Sequence, residues 1–338
     1  MKEPIFTAYM IKNGKYDNIE ILGTKIYERA IQTLEVIGAK VIEIKSEAEI
    51  PNKGVGLVID SICIFKKGEL LNILENNCDK SFKIGEVAYF GNLAKRKQVT
   101  EKIEISEQKF FLITTTRAIT QLYEYLIMLN IEKHFDNGVI ILSPKTTIIE
   151  DNVRIAPGVI LHGNIELRGD TTIQSGSVIQ EGTNLLNATI GHNVVLKNAK
   201  IQDSEVDDDA SVGPFAFIRN HAKIGKRCRL GDYVEVKNSI LGDDVKMAHL
   251  AYVGDGEVGA RTNIGCGSIF VNYNGRIKQK TIVGEDCFIG SNVNLIAPLQ
   301  IGSKVYIAAG STVTKNLKDN EFCVAREREY IKDDWERK

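Results

Sequence analysis

The sequence predicts a left-handed parallel β-helix of hexapeptide repeats in its C-terminal half, joined by a helical arm to a smaller N-terminal α/β domain. Three observations carry that expectation: apolar residues recur every six positions from residue 149, tight-turn residues follow many of them, and the first third of the chain shows helix and strand periodicities instead.

The six-residue series runs Ile149, Ile155, Leu161, Leu167, Ile173, Ile179 and Leu185. With some five-residue steps it continues through Ile190, Leu196, Ile201, Val206, Val212, Ile218, Ile224, Leu230, Val236, Leu241, Met247, Val253, Val258, Ile264 and Phe270. It closes with Val283, Ile289, Leu295, Ile301, Ile307 and Val313. A period of six fits neither an amphipathic helix, which needs 3.6, nor an alternating strand, which needs two. It marks the hexapeptide β-helix, in which each unit is a short strand plus a turn and three units close one triangular coil. The anchors point into the prism, and coils stack through parallel ladders ~4.8 Å apart. Segments such as IAPG, IQSG, IGHN, IGKR, LGDD and IGSN supply glycine, asparagine or aspartate where a corner needs tight backbone.

Residues 1–116 read differently. TKIYERAIQTLEVIGAKVIEI has the spacing of an amphipathic helix ended by Gly38 and followed by a strand, an α/β unit. GVGLVIDSICIF reads as one buried strand. Residues 117–135 carry Ile119, Leu122, Tyr123, Leu126 and Leu129 at helical spacing, which suits a connecting arm. The expected organisation is an α/β domain over 1–116, an arm over 117–140, the β-helix over 141–317 and a tail over 318–338.

A length of 338 residues suits two domains of roughly 100–200 residues each. Lysine and arginine number 43 against 44 acidic residues, a net charge of −1, so the electrostatic footprint of nucleic-acid binding is missing and small molecules are the expected ligands. The cysteines Cys63, Cys78, Cys228, Cys266, Cys287 and Cys323 form no CxxC pair, which predicts free thiols in a reducing compartment. The N-terminus has no basic stretch followed by an apolar one, and no apolar run of about 18 residues occurs, so no membrane partner and a cytoplasmic location are expected.

GPFAFIRNHAKIG, EVKNSILGDDVKMAHLAYVGDGEVG, TNIGCGSIFVNYNGRIKQKTIVGEDCFIGSNVNLIAPLQIG and IAAGSTVTKN together resemble the acetyltransferase domain of the bifunctional N-acetylglucosamine-1-phosphate uridyltransferase (GlmU) family. The likeness is collinear and runs from the arm to the C-terminus, with MAHLAYVGD and VNYNG its most specific pieces. It implies acetyl transfer from acetyl-CoA, as co-substrate, to the amine of glucosamine 1-phosphate, in a homotrimer whose sites lie between subunits.

The resemblance places the base on His249, and the chemistry agrees, because an amine attacking a thioester must lose a proton and imidazole titrates near working pH. Taken alone, a histidine in a turn is more often a plain surface residue. Glu235 matches an acidic residue that orients either the imidazole or the sugar. Arg219 and Lys237 match a phosphate-binding pair, and the register supports them independently. They stand eighteen residues apart, each one past its anchor, so they stack one coil above the other ~5 Å apart. Two cations that close repel unless a dianion sits between them; the alternative is a solvated charged face. Tyr252 and Asn263 match contacts to the amino sugar, with Lys278 a further candidate, although Tyr252 is equally a packed surface aromatic on its spacing alone.

Between Phe270 and Val283 the step is thirteen residues, an insertion that breaks the solenoid and is expected to be functional. In the family it reaches a neighbouring subunit, which implies that Asn272 and Tyr273 meet both substrates. Cys266, Ser291 and Ala309 match the acetyl-CoA groove, and Arg326 the coenzyme phosphate. Cysteine replaces a common alanine at 266, which matters little where backbone atoms make the contact.

The N-terminal part departs from the family. No GxGTRM-type loop is present to aim backbone N–H groups at a nucleotide's phosphates, and IFTAYMIKNGKYDN stands in its place. Asp60 matches a magnesium ligand only weakly, since its partner position falls at Thr115 or Thr116. The expectation is a shrunken nucleotidyltransferase-like domain without pyrophosphorylase activity, magnesium being needed only if that activity persists. Two rivals remain: a regulatory protein whose N-terminal domain senses a nucleotide sugar, and a γ-type carbonic anhydrase. The latter needs three zinc histidines, two of them close in sequence, whereas His134, His162, His192, His221 and His249 are spaced about evenly.

Overall fold

The computed structural model describes residues 6–12, 14–77, 80–106 and 109–332, so Cys78 lies outside the described residues. The chain divides into two compact units, Met1–Leu129 and Asn130–Lys338. The helix Thr116–Asp136 spans that division, so the boundary falls inside the predicted arm rather than at its start.

In the first unit a six-stranded sheet has the spatial order Ala39–Ile44, Phe6–Ile11, Val55–Asp60, Ala88–Asn92, Phe82–Ile84 and Lys102–Ile103. Phe6–Ile11 pairs in parallel with both neighbours. The helix Ile26–Val36 ends where Gly38 takes a φ of 85°, a left-handed turn that glycine enters without a Cβ clash, and Ala39 starts the strand. Met10, Ile26, Leu34, Leu57 and Phe82 form part of the buried interior.

The GVGLVIDSICIF segment is two strands, not one. After Asp60 the chain turns: its Oδ1 accepts the Ile62 N–H and the Ser61 hydroxyl donates to buried Asp17. Cys63–Phe65 then leaves the main sheet and pairs antiparallel with Phe110–Leu112. Uniform apolarity hid the turn, because both strands are buried on both faces.

The second unit is a triangular prism. Three parallel sheets of 11, 10 and 9 strands form its faces, each short strand pairing with the one a full coil away. All the predicted anchors from Ile149 to Val313 are buried, at 4% exposure or less. The repeat begins at Ile140–Ile141, and it extends past the predicted end, since Phe322–Cys323 adds a last strand to the first face. There Phe288, Tyr306 and Phe322 stack ring on ring down consecutive coils.

The five-residue steps have a common cause. Each places Asn187, Asn198, Asp203, Asn238 or Asp255 two positions after its anchor, with φ between 41° and 50°. Asparagine and aspartate enter the left-handed region more readily than other side chains, so the corner closes one residue sooner. In most six-residue steps the left-handed residue stands three past the anchor, as at Asp209, Arg227, Asp244, Arg261, Asp286 and Lys304. These six form a column of alternating charge. Arg227 makes two 2.9 Å bonds to Asp244, and Arg261 Nε lies 2.7 Å from Asp286.

Candidate active site

Lys246–His249 is a strand of the first face, followed by the corner residue Leu250 at φ 45°, and Tyr252–Gly254 lies on the second face. His249 therefore stands at the edge of one face, and Tyr252 begins the next around the corner. The imidazole is exposed, and its Nδ1 lies 2.8 Å from Asp232 Oδ1, the residue directly in register one coil earlier. A backbone N–H within Asp232, followed by His249, holds the Asp232 carboxyl below its ordinary range.

Asp232, then, is the carboxylate at the imidazole in this structure. Glu235 Oε1 instead accepts from Arg219, at 2.8 Å from Nε and 2.6 Å from Nη2. Asp232 was missed although its signal was present: it precedes His249 by 17 residues, one coil containing a single five-residue step.

Arg219 and Lys237 are Cα partners on the second face, in the stacked register expected of them. Lys278, from the inserted loop, closes on Lys237 and is the first cause that pushes the Lys237 pKa down, followed by burial and by Arg219. Three cations are thus brought together beside two engaged carboxylates, Glu235 and Asp255, the second opposing the fall of the Lys237 pKa. Opposite Lys237 stands Gly254, where a Cβ would lie 2.2 Å from the Tyr252 hydroxyl and 2.8 Å from Asn272 Nδ2. Only glycine leaves room there for both groups to converge. Burial raises the Tyr252 pKa, with Asn272 opposing.

Within the insertion, Asn272 is 8% exposed and its Nδ2 donates to Asp255 at 2.5 Å, so it is turned into its own chain. Tyr273 is exposed, donates to the Gly275 carbonyl at 2.8 Å and bridges to Lys278. Asn263, half-buried, is in register with Lys246 on the first face.

Cys266, Ser291 and Ala309 are exposed and occupy successive corners past Ile264, Ile289 and Ile307, which are themselves in register. The coils meet closely here: Asn292 N–H donates to the Cys266 carbonyl at 2.7 Å and Gly310 N–H to the Ser291 carbonyl at 2.8 Å. Arg326 lies at the foot of this column, its Cδ 3.5 Å from a Cβ built on Gly310. In the first unit Asp60 ends its strand beside a cavity of about 340 Å³. Among the described residues no group of three His, Cys, Asp or Glu side chains is placed to hold a metal ion, and no helix is long and apolar enough to cross a membrane.

A prism of six-residue coils defines the class, and residues 280–315 match the bacterial transferase hexapeptide family (six repeats). Over 313 residues, 91% of its length, the chain is 37% identical to the bifunctional protein GlmU of Clostridium botulinum (strain 657 / Type Ba4), of which it covers 68%. It is 42% identical to the bifunctional protein GlmU of Acetivibrio thermocellus and 44% identical to that of Brevibacillus brevis, over 61% of its own length and 44% of each relative. The chain belongs to the GlmU family and carries its left-handed β-helix. It spans from under half to about two thirds of the length of these relatives, and its N-terminal part is the shorter one.

Proposed function

We propose that the chain is a glucosamine-1-phosphate N-acetyltransferase that uses acetyl-CoA and acts as a homotrimer with active sites between subunits. The observation that carries this reading is the convergence of Arg219, Lys237 and Lys278 on the face next to His249. A phosphate dianion relieves the repulsion among these cations, the arginine offering a fork and the lysines point charges. The sugar then lies across the corner, its hydroxyls toward Tyr252 and its amine toward His249. The amine nitrogen attacks the thioester carbonyl, His249 takes the proton that the nitrogen must lose, and the C–S bond breaks to release the thiol. The column Cys266, Ser291 and Ala309 offers small residues and backbone groups to a long, mostly apolar pantetheine arm, with Arg326 toward the coenzyme's phosphates.

For residues 1–116 the reading is loss of uridyltransferase activity, supported by the missing glycine-rich loop. A sensing role has one observation in its favour: a 340 Å³ cavity, lined by Lys83, Arg96 and Lys97 together with the acidic Glu47, Asp60 and Glu86, lies where Ile11 and Asp60 end parallel strands. Thiol release measured with glucosamine 1-phosphate, galactosamine 1-phosphate and UTP plus N-acetylglucosamine 1-phosphate tests the whole reading. Turnover with the first and no pyrophosphate with the last is expected; no thiol release with any amino-sugar phosphate rejects it.

A further inference from the structure

We propose that Asp232 is a positioning residue that fixes which nitrogen of His249 carries the proton, so that Nε2 is the atom that deprotonates the acceptor amine. The inference rests on the acetyl-transfer reading above and deepens it.

The two side chains are placed by the solenoid rather than by a flexible loop. Asp232 and His249 are Cα partners, the Leu250 N–H donates to the Asp232 carbonyl at 3.0 Å, and the Gly267 N–H reaches the His249 carbonyl at 3.3 Å. Gly231 makes the close approach possible, since a Cβ there would meet the Ala248 carbonyl oxygen at 1.9 Å. The 2.8 Å contact between Asp232 Oδ1 and His249 Nδ1 is therefore built on a ladder whose spacing cannot drift.

The carboxylates around the site are divided by task. Glu235 is taken by two hydrogen bonds from Arg219, and Asp255 by Asn238 and Asn272. Asp232 is the one set against the imidazole. An ionised carboxylate only accepts, so Nδ1 must donate and the lone pair falls on Nε2. The tautomer that free imidazole favours, with the proton on Nε2, has no lone pair to offer on that atom. In the reaction Nε2 takes the amine proton while the new N–C bond forms. Nε2 then passes that proton to the departing thiolate as the C–S bond breaks, and throughout Nδ1–H stays bonded to Asp232, which is not itself protonated. Asp232 touches neither substrate; it acts through His249.

Nitrogen-15 NMR of the full-length protein, with His249→Gln to assign the signal, reads the tautomer directly at a pH where the ring is neutral. The expected spectrum shows the proton on Nδ1 in the wild type, shifting toward Nε2 in Asp232→Asn. The same variant is expected to lose kcat by about 10- to 100-fold, with KM for both substrates within about twofold. Asp232→Ser, a second surface substitution, gives the same pattern. A wild-type His249 protonated on Nε2, an unchanged tautomer in both variants, or kcat kept within threefold overturns the proposal. Failure of glucosamine 1-phosphate as a substrate would remove the functional reading alone, because the tautomer is measured without turnover.

Discussion

In the prism, residues 16 to 18 apart in sequence lie one above another, as Arg219 does on Lys237 and Asp232 on His249. In the first unit, by contrast, the strand Phe6–Ile11 pairs with segments more than thirty and more than forty residues away, joined by a helix on one side and by loops on the other. A repeat converts spacing into spatial adjacency, so a site can be assembled from single residues on stacked short strands. An α/β unit must instead bring its polar groups to strand ends through loops, and there a lost loop removes a site without disturbing the sheet. The first unit has its sheet but no GxGTRM-type segment in its sequence, while the prism brings Asp232, His249, Arg219 and Lys237 together on two stacked coils.

The largest expected effect separates chemistry from scaffold. His249→Ala should lower kcat for acetyl transfer by about a thousandfold, in the range typical of a removed general base, with unchanged circular dichroism. A loss of less than tenfold would move the base elsewhere. Next come two truncations that set the regions against each other. Ile218→Ala and Leu57→Ala each empty a fully buried position and should cost about 3 kcal/mol. Only Ile218→Ala should also raise KM for the sugar phosphate, because its neighbour Arg219 rides on that strand. Acetyl transfer abolished by Leu57→Ala, measured below its melting temperature, would contradict a separation of tasks between the two units.

A third test uses proton linkage at the start of the prism unit. His134, near the end of the helix Thr116–Asp136, is 3% exposed, and neither ring nitrogen has a hydrogen-bond partner. Burial first, then Lys133, lowers its pKa to about 4. A folded pKa below the unfolded value of about 6.5 means that the unfolded chain binds the proton more tightly. The neutral ring's stabilisation is whole above about pH 6.5 and drains away as the pH falls to about 4, up to about 3 kcal/mol in all. Urea unfolding at pH 7 and pH 4 should show His134→Leu gaining stability relative to wild type at the lower pH. An equal difference at the two pH values would refute the linkage.

The legible and illegible parts of the sequence divide along the same line. The anchors could be read because burial in the prism depends on a single period that no other structure shares, and once the anchors were fixed the stacking of Arg219 on Lys237 followed. Asp232 was equally within reach by counting one coil back from His249, but an exposed aspartate in RLGDYVEVK carries no apolar mark of its own. The family likeness directed attention to Glu235, whose carboxylate is in fact committed to Arg219. Nor could spacing reveal that Asn272 folds back on Asp255, since an insertion has no register to count by. In the first unit the turn at Ser61 escaped notice because its determinant, buried Asp17, lies 44 residues away in sequence.

The smallest effect concerns what keeps the prism in register. A coil could slip by a whole hexapeptide and still bury an apolar anchor, so the anchors alone do not specify which coil pairs with which. The corner column from Asp209 through Arg227, Asp244, Arg261 and Asp286 to Lys304 alternates in sign at every coil, and such a slip would bring residues from other columns opposite these charges. These pairs are exposed and screened by salt, so each adds little stability, and their value lies in discriminating between registers. Arg227→Ala should therefore lower Tm by only about 1–2 °C, and less in 0.5 M salt. Arg227→Asp, which faces Asp244 with a like charge, should lower it further and slow refolding from urea more than it speeds unfolding, as mispaired coils are sorted. If the two substitutions had the same effect on refolding, the alternating column would be ordinary surface charge and the register would have to be set by the inserted loop or the interior.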